Sequence, residues 1–115
     1  MANTFKVVTK AGVTSADTIY TVASSTTTVV LGVMIGNTTT SQITATVTLS
    51  SDTSNRAGAN NEANQDVELV TNAPIPAGGT LELLSGNKVV METTDVLKLA
   101  ASGASDIAVS IMEIT

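Results

Sequence analysis

The stretch Ile75–Glu92 constrains the fold more than any other part of the chain. It reads Ile-Pro-Ala-Gly-Gly-Thr-Leu-Glu-Leu-Leu-Ser-Gly-Asn-Lys-Val-Val-Met-Glu. Pro76 has its φ fixed near −65°, and Gly78 or Gly79 can supply a positive φ, so the chain should reverse here. An alternating strand, a Ser-Gly-Asn turn and an apolar run follow. The pattern predicts a β-hairpin, which a third strand at 95–100 extends into a meander.

Two further segments predict strands of different kinds. Between Gln42 and Ser50 apolar residues alternate with threonines, which is typical of a strand with one buried face. The segment Thr28–Ile35 is almost continuously apolar, so we expect a central strand that is buried on both faces. Gly32 within this segment indicates a β-bulge or a close backbone approach.

Shorter alternating segments recur about every ten residues along the chain. They are Phe5–Thr9, which we expect at a sheet edge, Thr18–Ala23, Val67–Val70, Asp95–Ala100 and Asp106–Ile114. No segment has a convincing helical period. The sequence therefore predicts an all-β, single-domain β-sandwich of about eight short antiparallel strands, either jelly-roll or immunoglobulin-like, spanning residues 1–115.

The core of this sandwich should be aliphatic, because the chain has one Phe, one Tyr and no Trp. Threonine and serine supply 31 residues, as expected for strands with one solvated face. The predicted core comprises Val29, Leu31, Val33, Ile43, Val47, Leu49, Leu81, Leu83, Val89, Leu97, Leu99, Val109 and Ile111.

Two segments have little to anchor them in such a core. Residues 51–66 are almost entirely polar, which is long for a connection in a compact domain and indicates either a disordered tip or an arm ordered by a partner. The N-terminal segment has a single strong anchor in Phe5, and we expect it also to order on docking. The candidate partner-contact residues are Phe5, Lys6, Asp52, Asn55, Arg56 and Asn60.

The charge distribution argues against nucleic acid as a partner. The net charge is −5, and it is uneven. Residues 1–58 carry three basic and two acidic side chains, a net of +1, whereas residues 59–115 carry two basic and eight acidic ones, a net of −6. Binding to a phosphate backbone depends on clustered Lys and Arg, which this chain lacks.

The residue inventory also gives no indication of catalysis. Cysteine and histidine are absent, which removes disulfides, thiolate ligands and the commonest general base. No phosphate loop or calcium loop is present, so we predict no enzyme, no cofactor and no metal site. No apolar run approaches the length of a membrane span, so we expect no membrane partner.

The C-terminal half resembles a pattern of short virion structural proteins of tailed bacteriophages. The likeness lies in the Pro-Ala-Gly-Gly turn after Ile75, the Gly-Asn-Lys-Val-Val run, the Asp95-Val-Leu-Lys-Leu strand and the terminal Ser110-Ile-Met-Glu-Ile. It covers about 40 residues and contains no catalytic motif. The resemblance implies a small β-sandwich of the virion that assembles as a homo-oligomer, with a trimer favoured, on the major capsid protein or another virion protein.

Three functions are compatible with these observations. A capsid decoration or cement protein on the head surface is favoured, and a tail, neck or fibre-base adaptor is the alternative. A β-sandwich that binds a glycan or the host surface through residues 51–66 is a third possibility, although carbohydrate sites usually use more aromatic side chains than this chain has.

Overall fold

The computed structural model describes residues 2–51, 65–84 and 87–115. Within them the chain forms nine β-strands that lie in two antiparallel sheets. The strands are β1 (Asn3–Val13), β2 (Asp17–Thr21), β3 (Thr27–Asn37), β4 (Ile43–Ser50), β5 (Asp66–Ile75), β6 (Thr80–Leu83), β7 (Val89–Met91), β8 (Val96–Ala101) and β9 (Ser105–Ile114).

The predicted β-sandwich is confirmed, and its strand order is that of a jelly roll. The first sheet has the order β1-β9-β3-β6, with β7 also paired to β3, and the second has the order β2-β8-β4-β5. The pairs are nested: β1 with β9, β2 with β8, β3 with β6 and β7, and β4 with β5. Because β6 and β7 share one position beside β3, the nine strands occupy eight positions.

The predicted hairpin and meander at 75–100 are wrong. Both β6 and β7 pair antiparallel to β3, so they run in the same direction along one line instead of pairing with each other. The strand that follows lies in the other sheet. Leu84 has a positive φ of 63°, which interrupts the extended chain between the two short strands. β3 has eleven residues, so its edge is long enough for β6 and β7 to pair with it one after the other instead of forming a hairpin.

β3 is buried on one face only, which corrects the prediction of a strand buried on both faces. Its register with β9 shifts between Val30 and Gly32, which confirms the bulge. The buried positions change phase at this point, from Val30 before the bulge to Val33 and Ile35 after it. Val29, which was predicted in the core, therefore lies on the outer face of the sheet.

The core between the sheets agrees only in part with the prediction. Seven of the thirteen predicted residues are buried in it: Val33, Ile43, Val47, Leu97, Leu99, Val109 and Ile111. On β4 the alternation is confirmed, with Ile43, Ala45 and Val47 buried and the threonines between them on the other face. Four other predicted core residues are only partly buried against the core: Leu49, Leu81, Leu83 and Val89. Leu31, also predicted there, is partly buried but is not part of the core cluster. Buried aliphatic residues that the prediction omitted include Val13, Ile19, Val22, Val30, Ile35, Ile75, Met91 and Ile107.

The crossover from the second sheet to the first is fixed by a turn and a buried amide. Gly79 N–H donates to Pro76 O at 2.8 Å, and Gly78 supplies the positive φ, at 70°. The Asn37 side chain, 4% exposed, donates to Ile75 O at 2.9 Å and to Pro76 O at 3.1 Å. The end of β3 is thereby tied to this turn.

Candidate assembly surface

The outer face of the first sheet is apolar. Five large hydrophobic side chains are exposed among the described residues, and four of them lie here: Phe5 at 72%, Val7 at 64%, Val90 at 56% and Met34 at 49%. We call this surface the apolar face. It comprises Phe5, Val7, Val29, Met34, Val90, Ala108 and Met112.

The strand registers place these side chains side by side. Phe5 pairs with Met112 of β9, Met112 pairs with Val29 of β3, and Val29 pairs with Val90 of β7. Directly opposed residues of antiparallel strands project to the same side of a sheet. One apolar row therefore crosses four strands.

A second row runs parallel to the first, closer to the other end of the sheet. Met34 pairs with Ala108 of β9 on one side and with Glu82 of β6 on the other. Met34 and Glu82 also line a shallow depression with Leu31 and Leu84, next to the β3 bulge. The apolar face thus extends from the first row to this depression.

The outer face of the second sheet has a different composition. Thr44, Thr46 and Thr48 project from β4 on the side away from the core. Thr46 Oγ1 accepts a hydrogen bond from the Asn72 backbone N–H at 2.9 Å, and Lys98 pairs with Thr48. We call this surface the threonine face. Since strands normally solvate one face with such residues, the apolar face needs a separate explanation.

The sequence contains an indication of the apolar face, but the period-2 pattern of single strands does not reveal it. In β1 and β9 both alternate sets contain apolar residues, so the outward set includes Phe5, Val7, Ala108 and Met112 as well as polar residues. The sequence fails to show that these outward sets lie on adjacent strands, because strand order depends on long-range pairing.

Two of the candidate partner-contact residues lie on β1, on opposite faces. Phe5 is on the apolar face, whereas the Lys6 ammonium forms an ion pair with Glu113 at 2.7 Å on the other side of the strand. The first strand also begins at Asn3, so this segment is already ordered against β9, contrary to the expectation that it orders on docking. Its predicted position at a sheet edge is confirmed. The other four candidates, Asp52, Asn55, Arg56 and Asn60, lie outside the described residues.

A polar network links β2 of the second sheet to β3 and β9 of the first, on the inner side of β1. The Tyr20 hydroxyl donates to Glu113 Oε2 at 2.6 Å and lies 2.8 Å from Thr28 Oγ1. Burial, followed by the hydrogen bond to Glu113, raises the pKa of Tyr20 to about 12. Hydrogen bonds from Lys6 and then Tyr20 hold the pKa of Glu113 below its usual value. The network links the two sheets, and Lys6 joins it from the side of β1 opposite the apolar face.

The described residues bring together no group of three or more acids that could hold a metal ion. Among the same residues no helix has the length and apolar character needed to cross a membrane. The side chains that the structure does bring together are the apolar ones of the first sheet.

Comparison with known proteins adds little to this picture. No protein-family model matches the sequence, and a search of the curated proteins finds no match. Among solved structures, the backbone is similar to that of a chain from Bacillus endospore appendages, described as a family of disulfide-linked pili. The TM-score is 0.48 at 12% sequence identity, and the similarity covers 97% of this chain and 84% of that chain.

Proposed function

We propose that this protein is a structural component of a bacteriophage virion, a capsid decoration or cement protein that attaches to the head surface. The observation that carries the assembly role is the apolar face. An apolar patch of this kind on a small β-sandwich marks an interaction surface. Buried in an assembly, its four exposed large side chains would leave water.

The placement on a head comes from the sequence resemblance in the C-terminal half. A jelly roll hosts many functions, so the fold alone does not select one. What the fold supplies is a rigid frame that has an apolar side and a threonine-rich side. A protein with this frame is suited to covering or joining other proteins, with binding rather than catalysis as its task.

The test is binding to isolated phage parts. Purified protein is mixed with heads that lack it and, separately, with tails, and each mixture is sedimented. We expect the protein to pellet with heads until a fixed number of sites is filled. Saturable binding to tails but not to heads would move the function to a tail or neck adaptor, and binding to neither would refute the virion role.

A matched pair of variants shows whether the apolar face is involved. Val90→Glu places a charge on the apolar face, and Thr48→Glu places one on the threonine face, each at the surface of a strand. We expect Val90→Glu to lower head occupancy and Thr48→Glu to leave it unchanged. Far-UV circular dichroism of both variants verifies that the sandwich is intact.

A further inference from the structure

The apolar face has the size of half a small specific interface. The whole outer face of the first sheet, polar positions included, has four strand positions about 4.8 Å apart and about 30 Å long, with β6 and β7 together filling the fourth, and spans roughly 600 Å². Specific protein interfaces bury about 1,200 Å² or more in total, or roughly 600 Å² from each partner. A second copy that covers the whole face would reach this lower limit.

The charges around the face restrict how a second copy can sit on it. The paired rows of the face contain two acidic side chains, Glu82 opposite Met34 and Asp106 opposite Gly36. Both lie towards one end of the sheet. Lys6, on the inward side of β1, is engaged with Glu113. No other paired position of the face carries a charge, so the end with the acids discriminates between arrangements of two copies. Lys88, which precedes β7, lies outside these pairs.

Two symmetric arrangements place one face upon another with the strands of the two copies aligned. A two-fold axis perpendicular to the strands turns the acidic end onto the apolar row, so that Glu82 of one copy meets Val90 of the other. A two-fold axis parallel to the strands keeps the ends together and sets β1 against β6 and β7. In that arrangement Glu82 meets Thr9, and Asp106 meets Gly36. Only the second arrangement avoids burying a carboxylate against an apolar side chain.

The parallel axis also matches the apolar row with itself. Phe5 of one copy comes opposite Val90 of the other, and Met112 comes opposite Val29. Ala108, which is small, comes opposite Met34, which is long, and such pairs interdigitate well. The parallel axis thus matches apolar side chains with apolar ones, and it brings the acidic ends of the two copies to the same end of the interface.

We propose that two copies of this chain pack through their apolar faces about a two-fold axis parallel to the strands. The inference rests on the proposed assembly role of this face and names a second copy as its occupant. The resemblance implies a trimer, but a ring of three joins two different patches on each copy, whereas a two-fold pair joins one patch to itself. The self-complementary face therefore favours a dimer.

The first test is the mass of the pure protein by light scattering over a wide concentration series. We expect the dimer to form, and Val7→Glu to shift its dissociation constant at least tenfold towards monomer. The matched change Thr48→Glu on the threonine face should leave the dissociation constant unchanged. A folded monomer at every concentration, or a trimer, overturns the proposal.

The second test uses the absence of cysteine from the chain. A single cysteine is introduced by Phe5→Cys in one preparation and by Val90→Cys in another, and the two are mixed with a short bismaleimide linker. We expect linkage of the mixture to exceed that of either variant alone severalfold. Preferential self-linkage of Val7→Cys would indicate the perpendicular axis and overturn the proposed geometry. Thr46→Cys gives the background rate of random linkage.

These results are separable from those on phage heads. Pairing is measured with pure protein, and attachment is measured with particles. Head binding by a protein that stays monomeric would overturn the pairing and leave the proposed function standing. A protein that forms the dimer but binds neither heads nor tails would support the pairing and refute the proposed function.

Discussion

Replacing Asn37 by alanine tests how the crossover between the sheets is held. The amide nitrogen donates to three backbone carbonyls, of Ser41, Ile75 and Pro76, at 2.8, 2.9 and 3.1 Å. The amide oxygen accepts from the Thr39 N–H at 2.9 Å and from the Thr39 hydroxyl at 2.7 Å. Alanine removes all five contacts at once.

The expected loss in the free energy of unfolding depends on how deeply each of these contacts is buried. The bond to Ile75 O is buried, so its carbonyl loses a partner that water replaces poorly, at a cost of about 1–3 kcal/mol. The other contacts are partly buried, and water restores most of their hydrogen bonding after the substitution. We expect a total loss of about 2–4 kcal/mol, which corresponds to a fall in melting temperature of roughly 10 °C in a domain of this size.

The assay is urea unfolding followed by far-UV circular dichroism, with Asn3→Ala as the control. Asn3 is exposed at the start of β1, so the same chemical change there should alter the free energy of unfolding by less than about 0.5 kcal/mol. An Asn37→Ala protein with an unchanged slope and a midpoint equal to that of the wild type would refute the reasoning. The crossover would then be held by the Pro76–Gly79 turn and by the backbone bond from the Asn37 N–H to Gly79 O.

Three further predictions concern the core and the polar network. Leu99→Ala should lower the free energy of unfolding by about 2–5 kcal/mol because Leu99 is fully buried, whereas Val67→Ala, at an exposed site, should change it by less than about 1 kcal/mol; urea titration measures both. The pKa of Glu113 is lower in the folded state than in the unfolded one, so its contribution to stability is present above about pH 4.3 and is lost as the pH falls through the folded pKa. Glu113→Gln should therefore flatten the pH dependence of the melting temperature in this acidic range. Tyr20 is the sole tyrosine, so absorbance titration should show a pKa of about 12 in the native protein and about 10 in urea, with stability lost between these values as the pH rises; a native value near 10 would contradict the buried network.

The sequence predicts those parts of the fold that depend on local pattern. The alternation between Gln42 and Ser50, the bulge at Gly32 and the β-sandwich class are all confirmed, since each reflects the period-2 geometry of a strand or the conformational freedom of glycine. After Leu84 a turn-type bond does form, with the Asn87 N–H donating to Leu84 O at 3.2 Å. The hairpin prediction failed because β6 and β7 both pair with the long edge of β3 instead of with each other.

The candidate site was less predictable than the fold. The sequence singled out Phe5, whose side chain lies on the apolar face, but it grouped Phe5 with Lys6, which points to the other side of the same strand. Val29 and Met34 looked like core because they lie in an apolar run, and the bulge between them hides which face each occupies. The apolar face exists only once β1, β9, β3 and β7 are neighbours, and that order is set by contacts between residues far apart in the chain.

The most direct test of the account is the rate at which Met34 is oxidised by dilute hydrogen peroxide, read by peptide mass spectrometry. Met34 is half exposed on the apolar face of a single copy, and Met91 is fully buried and serves as the internal control. If the apolar face is the assembly surface, Met34 should be oxidised at least severalfold more slowly in wild-type protein at high concentration, or on phage heads, than in folded Val7→Glu monomer. Met34 oxidation at the same rate in all three states, with Met91 protected throughout, would contradict the account.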